Sequence, residues 1–195
     1  MFLSKLTMNQ MNRQAMRLLG DIYSLHKIVM SGFEAYQNQT RVLFRVEPEL
    51  SDGLVNVLVQ SRVKPSWAPT GFKNFQTKEF NPVFRQDVNL RFRLRANPTV
   101  TRNGKRYGLI RDKSLEEWIR KKEKNLGVQF HSMSIVDEGY ITGSKGRESH
   151  CLNLKTALYD GLLTVTDVYL LEKAFSEGIG SGKAFGCGLL SLARC

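Results

Sequence analysis

Apolar residues change their spacing along the chain, and each change marks an element. The run FLSKLTM at 2–8 reads as a short opening strand. A helical stretch follows, broken at Gly20, with Asp21 placed to cap the next helix. From there Ile22, Leu25, Val29 and Phe33 recur at helical spacing and define a buried stripe. Two strand-like runs at 40–46 and 54–61 flank the turn-prone Glu49-Leu50-Ser51-Asp52-Gly53, which is a hairpin signal. Residues 62–87 hold three prolines and little periodicity, so they suit either a poorly formed helix or a loop with a short strand. A domain boundary is expected near 85–89.

A second block repeats this outline. Val88, Leu90, Phe92, Leu94 and Ala96 alternate with Asn89, Arg91, Arg93 and Arg95, predicting a half-buried strand with a basic outer face. Ser114 and Glu117 have capping-box spacing for a helix that turns Leu115, Trp118 and Ile119 inward. Arg120, Lys121, Lys122 and Lys124 near its end complement the helix dipole. Strands are expected at 128–141, 150–158 and 161–166, the last two joined at Tyr159-Asp160-Gly161, and a helix from Asp167 to Glu177. Strand, helix, hairpin, helix, strand, occurring twice, predicts an α+β chain of two tandem ferredoxin-like domains of the RRM-like βαββαβ type. Their expected spans are 1–87 and 88–195.

Composition adds a class of partner. Twenty-nine Lys and Arg against 18 Asp and Glu give a net charge of +11 over 195 residues, the balance of a polyanion binder. No apolar run reaches the ~18–20 residues of a membrane span. MFLSKLTMNQ lacks the basic-then-apolar layout of a signal peptide, so a cytoplasmic chain without membrane partners is expected. Cys151, Cys187 and Cys195 are scattered, and His150 beside Cys151 finds no partner cluster. No disulfide framework, metal site or other cofactor is expected.

The segment Gly178-Ile179-Gly180-Ser181-Gly182-Lys183-Ala184-Phe185-Gly186-Cys187-Gly188 holds five of the 16 glycines. It is not a P-loop, because Ala184 follows Gly182-Lys183 and Glu177 stands where the first glycine belongs. It is not a dinucleotide loop either, since Phe185 occupies the third glycine position. Two uses remain open: a bare backbone that approaches a phosphodiester chain, helped by Lys183, or a tight turn that needs positive φ angles.

GIGSGKAFGCGLLSLA is similar to the glycine-rich C-terminal signature of CRISPR repeat-associated RNA-binding proteins. With MFLSKL at the start, Asp21-Ile22-Tyr23-Ser24-Leu25-His26, and Phe92-Arg93-Leu94-Arg95-Ala96-Asn97-Pro98, the chain resembles the CasE family across almost its whole length. These are the CRISPR-RNA-processing endoribonuclease subunits of type I-E Cascade complexes. The resemblance implies tandem ferredoxin-like domains and cleavage of precursor RNA at the base of the repeat hairpin. It also implies that the protein stays on the mature guide RNA among other Cascade subunits. On the helical wheel His26 lies about 40° and Tyr23 about 100° from Ile22, at the rim of the apolar stripe. The resemblance makes them the catalytic pair.

Cleavage without metal uses the RNA's own 2′-hydroxyl as nucleophile, leaving a 2′,3′-cyclic or 3′-phosphate and a 5′-hydroxyl. His26 is assigned a proton transfer, as base or acid, and Tyr23 its orientation or a bond to the phosphate. Lys27 is a candidate charge stabiliser. Candidate RNA contacts are Arg91, Arg93, Arg95, Lys145, Arg147, Gly180, Gly182 and Lys183. The family's basic loop between late strands corresponds to Gly143-Ser144-Lys145-Gly146-Arg147, which has only two cations. His131 and His150 match no motif and read as structural. Two other roles fit the charge and the glycine run: a stem-loop-binding module that does not cut, and a structural ribonucleoprotein subunit.

Overall fold

In a computed structural model of the chain, which describes residues 1–36, 40–47, 53–67, 74–144 and 151–195, the opening alternation forms β1 (Phe2–Asn9). Leu6 and Met8 point into a core. Helix α1 (Arg13–Gly20) is capped by Asn12, and α2 (Ile22–Ser31) by Asp21. Gly20 is the last residue of α1, and Asp21 alone separates the two helices where the sequence breaks its period. Ile22, Leu25, Val29 and Phe33 are all buried against Leu6, Met8, Phe44, Val57 and Val59. Each such side chain contributes roughly 1.5–3 kcal/mol when fully buried. That apolar stripe fixes which way the rest of α2 faces.

Strands β2 (Val42–Val46), β3 (Leu54–Ser61) and β4 (Asn74–Glu79) complete a sheet in the order β2-β3-β1-β4. Its three pairings are antiparallel, with Val42 opposite Ser61 and Phe2 opposite both Ser61 and Glu79. Described residues between 62 and 87 take the loop-and-strand alternative, with Trp67 buried against Phe33. The expected turn at 49–52 and the candidates Lys145, Arg147 and His150 lie outside the described residues.

The second half adds β5 (Asn89–Ala96), a hairpin of β6 (Thr99–Arg102) and β7 (Lys105–Gly108), α3 (Asp112–Arg120) and α4 (Glu123–Leu126). Then come β8 (Val128–Ser144), β9 (Cys151–Val165), α5 (Val168–Glu177) and β10 (Leu190–Arg194). The order β10-β5-β9-β8 repeats that of the first sheet, read from the other edge. Both sheets have the ferredoxin-like strand order, so the α+β tandem expectation holds. The chain groups into two units: Met1–Pro82 with Ile141–Asn153 and Ala184–Gly186, and Val83–Tyr140 with Leu154–Lys183 and Cys187–Cys195. No helix among the described residues is long and apolar enough to cross a membrane.

Three local expectations need correction. Tyr159-Asp160-Gly161 is not a turn but the middle of β9, with Gly161 paired to Phe92. A Cβ on Gly161 would lie 2.3 Å from the Ser132 carbonyl oxygen, so the glycine admits a neighbouring strand. Ser114 and Glu117 form no capping box: α3 starts at Asp112, Arg111 is its N-cap, and no side chain caps it. The outer face of β5 is not uniformly basic and free, because Arg95 is only 9% exposed.

Candidate active site

Asp21 organises the start of α2. Its Oδ1 accepts from the Tyr23 backbone N–H at 3.4 Å, and its Oδ2 from the Ser24 backbone N–H at 3.2 Å and from the Ser24 hydroxyl. Oδ1 also accepts from the Ser144 N–H at 3.1 Å, tying the end of β8 to the helix start. A Cβ on Gly143 would come within 3.0 Å of the Tyr23 nitrogen, so only glycine permits that approach. Burial opposes ionisation of Asp21, but the hydrogen bonds from Ser24, Ser144 and Tyr23 prevail and hold its pKa below the carboxylate norm.

One turn into α2, Tyr23 and His26 stand side by side with ring centroids 6.4 Å apart. Phe185 from the glycine run covers both, at 6.4 Å from Tyr23 and 5.6 Å from His26. Lys27 is exposed and sets its Nζ over the Tyr23 ring, 4.9 Å from the centroid. Burial lowers the His26 pKa from its ordinary value of 6.5, and the Ala184 carbonyl pulls the other way more weakly. No hydrogen bond of ordinary geometry forms at its buried Nδ1. The site is therefore an uncharged imidazole beside a phenol and an ammonium, half screened from water. Phe185 escapes a reading of the sequence; its only signal there is an aromatic residue inside a glycine run.

The glycine run serves its own backbone. Gly178, Gly180, Gly182, Gly186 and Gly188 all have φ between 73° and 87°. At Gly188 a Cβ would also lie 2.8 Å from the Ile179 carbonyl oxygen. Gly180 sits under Trp118 and Gly182 beside Asn97 and Cys187, so the tight-turn use is realised. Lys183 donates from Nζ to the Glu177 carbonyl at 2.9 Å.

The arginines of β5 divide. Arg91 is exposed. Arg93 grips Asp160 with two bonds, Nε to Oδ1 at 2.6 Å and Nη2 to Oδ2 at 3.1 Å. Arg95 donates from Nε to Glu138 at 2.6 Å. Tyr23, His26 and Lys27 are thus brought together, whereas Gly180, Gly182, Lys183 and the β5 arginines belong to the other unit. His131 bonds the Thr164 hydroxyl at 2.6 Å, a structural contact. No group of three or more His, Cys, Asp or Glu side chains among the described residues is placed to hold a metal ion.

A family model described as CRISPR associated protein matches residues 1–194. The chain is 29% identical over 210 residues to the CRISPR-associated endoribonuclease Cse3 of Thermus thermophilus, covering 99% of this chain and 100% of that protein. It is 29% identical over 187 residues to the CRISPR system Cascade subunit CasE of Escherichia coli, covering 89% and 92% of the two. Thermus thermophilus Cse3, solved bound to an RNA representing a pre-cleavage complex, superposes with a TM-score of 0.89 at 28% identity. That match covers 99% of this chain and 98% of the other.

Proposed function

Since the chain belongs to the CRISPR-associated protein family, we propose that it is an endoribonuclease that cuts CRISPR precursor RNA and remains on the product as a Cascade subunit. The likeness to Cse3 and CasE over nearly full length supports this reading. A cytoplasmic location belongs with it. The observation that carries the chemistry is the half-buried Tyr23–His26 pair under Phe185, with the Lys27 ammonium beside it.

An imidazole with a lowered pKa is neutral at pH 7 and free to accept a proton. In the proposed step His26 takes the proton of the RNA 2′-hydroxyl as that oxygen attacks the adjacent phosphorus. The P–O5′ bond breaks, giving a 2′,3′-cyclic phosphate, and the 5′-oxygen leaves as a hydroxyl by taking back the proton that His26 accepted, which returns the imidazole to its neutral form. Tyr23 orients the imidazole or donates to a phosphate oxygen, and Lys27 offsets the growing negative charge. Every bond change is supplied by the RNA and these side chains, so the step requires no divalent cation.

The test is cleavage of a preformed repeat hairpin in EDTA. His26→Ala is expected to lose about 10²–10⁴ in single-turnover rate, while hairpin affinity stays within a few-fold. A 2′-deoxy substitution at the scissile nucleotide should bind and remain whole. Normal cutting by His26→Ala, cutting of the deoxy substrate, or strict dependence on Mg²⁺ would overturn the mechanism. Tight hairpin binding with no cutting by the wild type would favour the non-catalytic binding module.

A further inference from the structure

The β6–β7 hairpin has no part in the site described above. Its turn, Asn103-Gly104, has both φ angles positive, at 49° and 74°, the backbone that joins two strands in a tight hairpin. Arg102 pairs with Lys105, Thr101 with Arg106, and Val100 with Tyr107. Residues paired across an antiparallel ladder share a face, and so do residues two apart. Val100, Arg102, Lys105 and Tyr107 therefore line one face.

Two like charges directly opposite each other destabilise a ladder. Arg102 and Lys105 are exposed, and neither makes an ion pair among the described residues. Tyr107 beside them is 50% exposed. An isolated two-stranded ribbon is marginal in water, but the base of this one is fastened. Leu109 N–H donates to the Pro98 carbonyl at 2.9 Å, and Asn97 Nδ2 to the Lys155 carbonyl at 2.6 Å. The Ser181 hydroxyl donates to Asn97 Oδ1 at 2.8 Å. A Cβ on Gly108 would lie 2.6 Å from that of Lys155, so the ribbon rests directly on β9. The outcome is a stiff arm with two uncompensated cations and an open aromatic ring on one face.

We propose that this face binds single-stranded RNA flanking the hairpin, a base stacking on Tyr107 and neighbouring phosphates pairing with Arg102 and Lys105. The combination of an aromatic ring with backbone-tracking cations is what unpaired nucleotides require. Duplex RNA buries its base faces and leaves the ring without a stacking partner. The inference rests on the RNA-processing reading.

The test uses two RNAs, a repeat hairpin alone and the same hairpin with about six unpaired nucleotides on each side, and measures the ratio of their affinities. For the wild type the flanked RNA should bind more tightly. Tyr107→Ala and the double variant Arg102→Ala/Lys105→Ala should each cut that advantage by about 5-fold or more, and Tyr107→Phe should retain it. Circular dichroism and thermal melting of each variant verify the fold. An equal loss of affinity for both RNAs would mean that the arm grips the stem, and unchanged affinity for both that it touches no RNA; either overturns the proposal alone. A wild type that binds neither RNA overturns the processing reading instead.

Discussion

His26 has lost part of the water that would solvate its charge, and the Phe185 ring packs beside it with centroids 5.6 Å apart. Burial disfavours the imidazolium, so protonation is postponed to lower pH and the base form persists through neutrality. If His26 is the general base, single-turnover cleavage should fall on the acid side with a midpoint below the ordinary 6.5. Phe185→Ala should move that midpoint upward toward 6.5, because it readmits water. A ring-proton titration by NMR checks both values, and a midpoint above 6.5 in the wild type would contradict the burial argument. Helical arithmetic alone puts His26 and Tyr23 at the rim of the stripe. It has no means of supplying Phe185, which reaches α2 from the far end of the chain.

At the scale of elements, periodicity is legible where one face is buried throughout, as in β1, α2, β5 and α5. It fails where one residue type serves two purposes. Gly161 follows Tyr159-Asp160 as a turn glycine would, yet it lies in mid-strand to let the Ser132 carbonyl approach. The opposite error concerns Asn103-Gly104, a strong hairpin dipeptide between two short polar strands that periodicity misses because neither strand has an apolar face. A pair of substitutions separates the two uses of glycine. Gly161→Ala forces a methyl onto backbone and should destabilise by about 1–3 kcal/mol. Gly20→Ala meets nothing within 4 Å at the end of α1 and should be neutral or stabilise by up to ~1 kcal/mol. Thermal melting reads both, and equal losses would remove the packing account of Gly161.

Over the whole molecule, a charge of +11 counts cations without saying which of them face a partner. Alternation puts Arg91, Arg93 and Arg95 on one outer face, but it cannot foresee Asp160 and Glu138, which other strands deliver to two of them. A phosphate reaching Arg95 would have to displace a carboxylate held at 2.6 Å from Nε of an arginine that is 9% exposed. Salt dependence distinguishes engaged from available charge, because each phosphate contact adds roughly 0.7–0.9 to the slope of log affinity against log salt. Wild-type hairpin binding should therefore weaken steeply as salt rises. Arg91→Ala should flatten the slope by about one contact. Arg95→Met should instead lower the melting temperature, by leaving Glu138 without its partner, while the slope keeps its wild-type value. Filter binding across a salt series, with melting curves on the same variants, decides the matter. A slope that flattens equally in both variants would mean that RNA opens the Arg95–Glu138 pair, and a flat wild-type slope would mean that the excess charge lies away from the RNA.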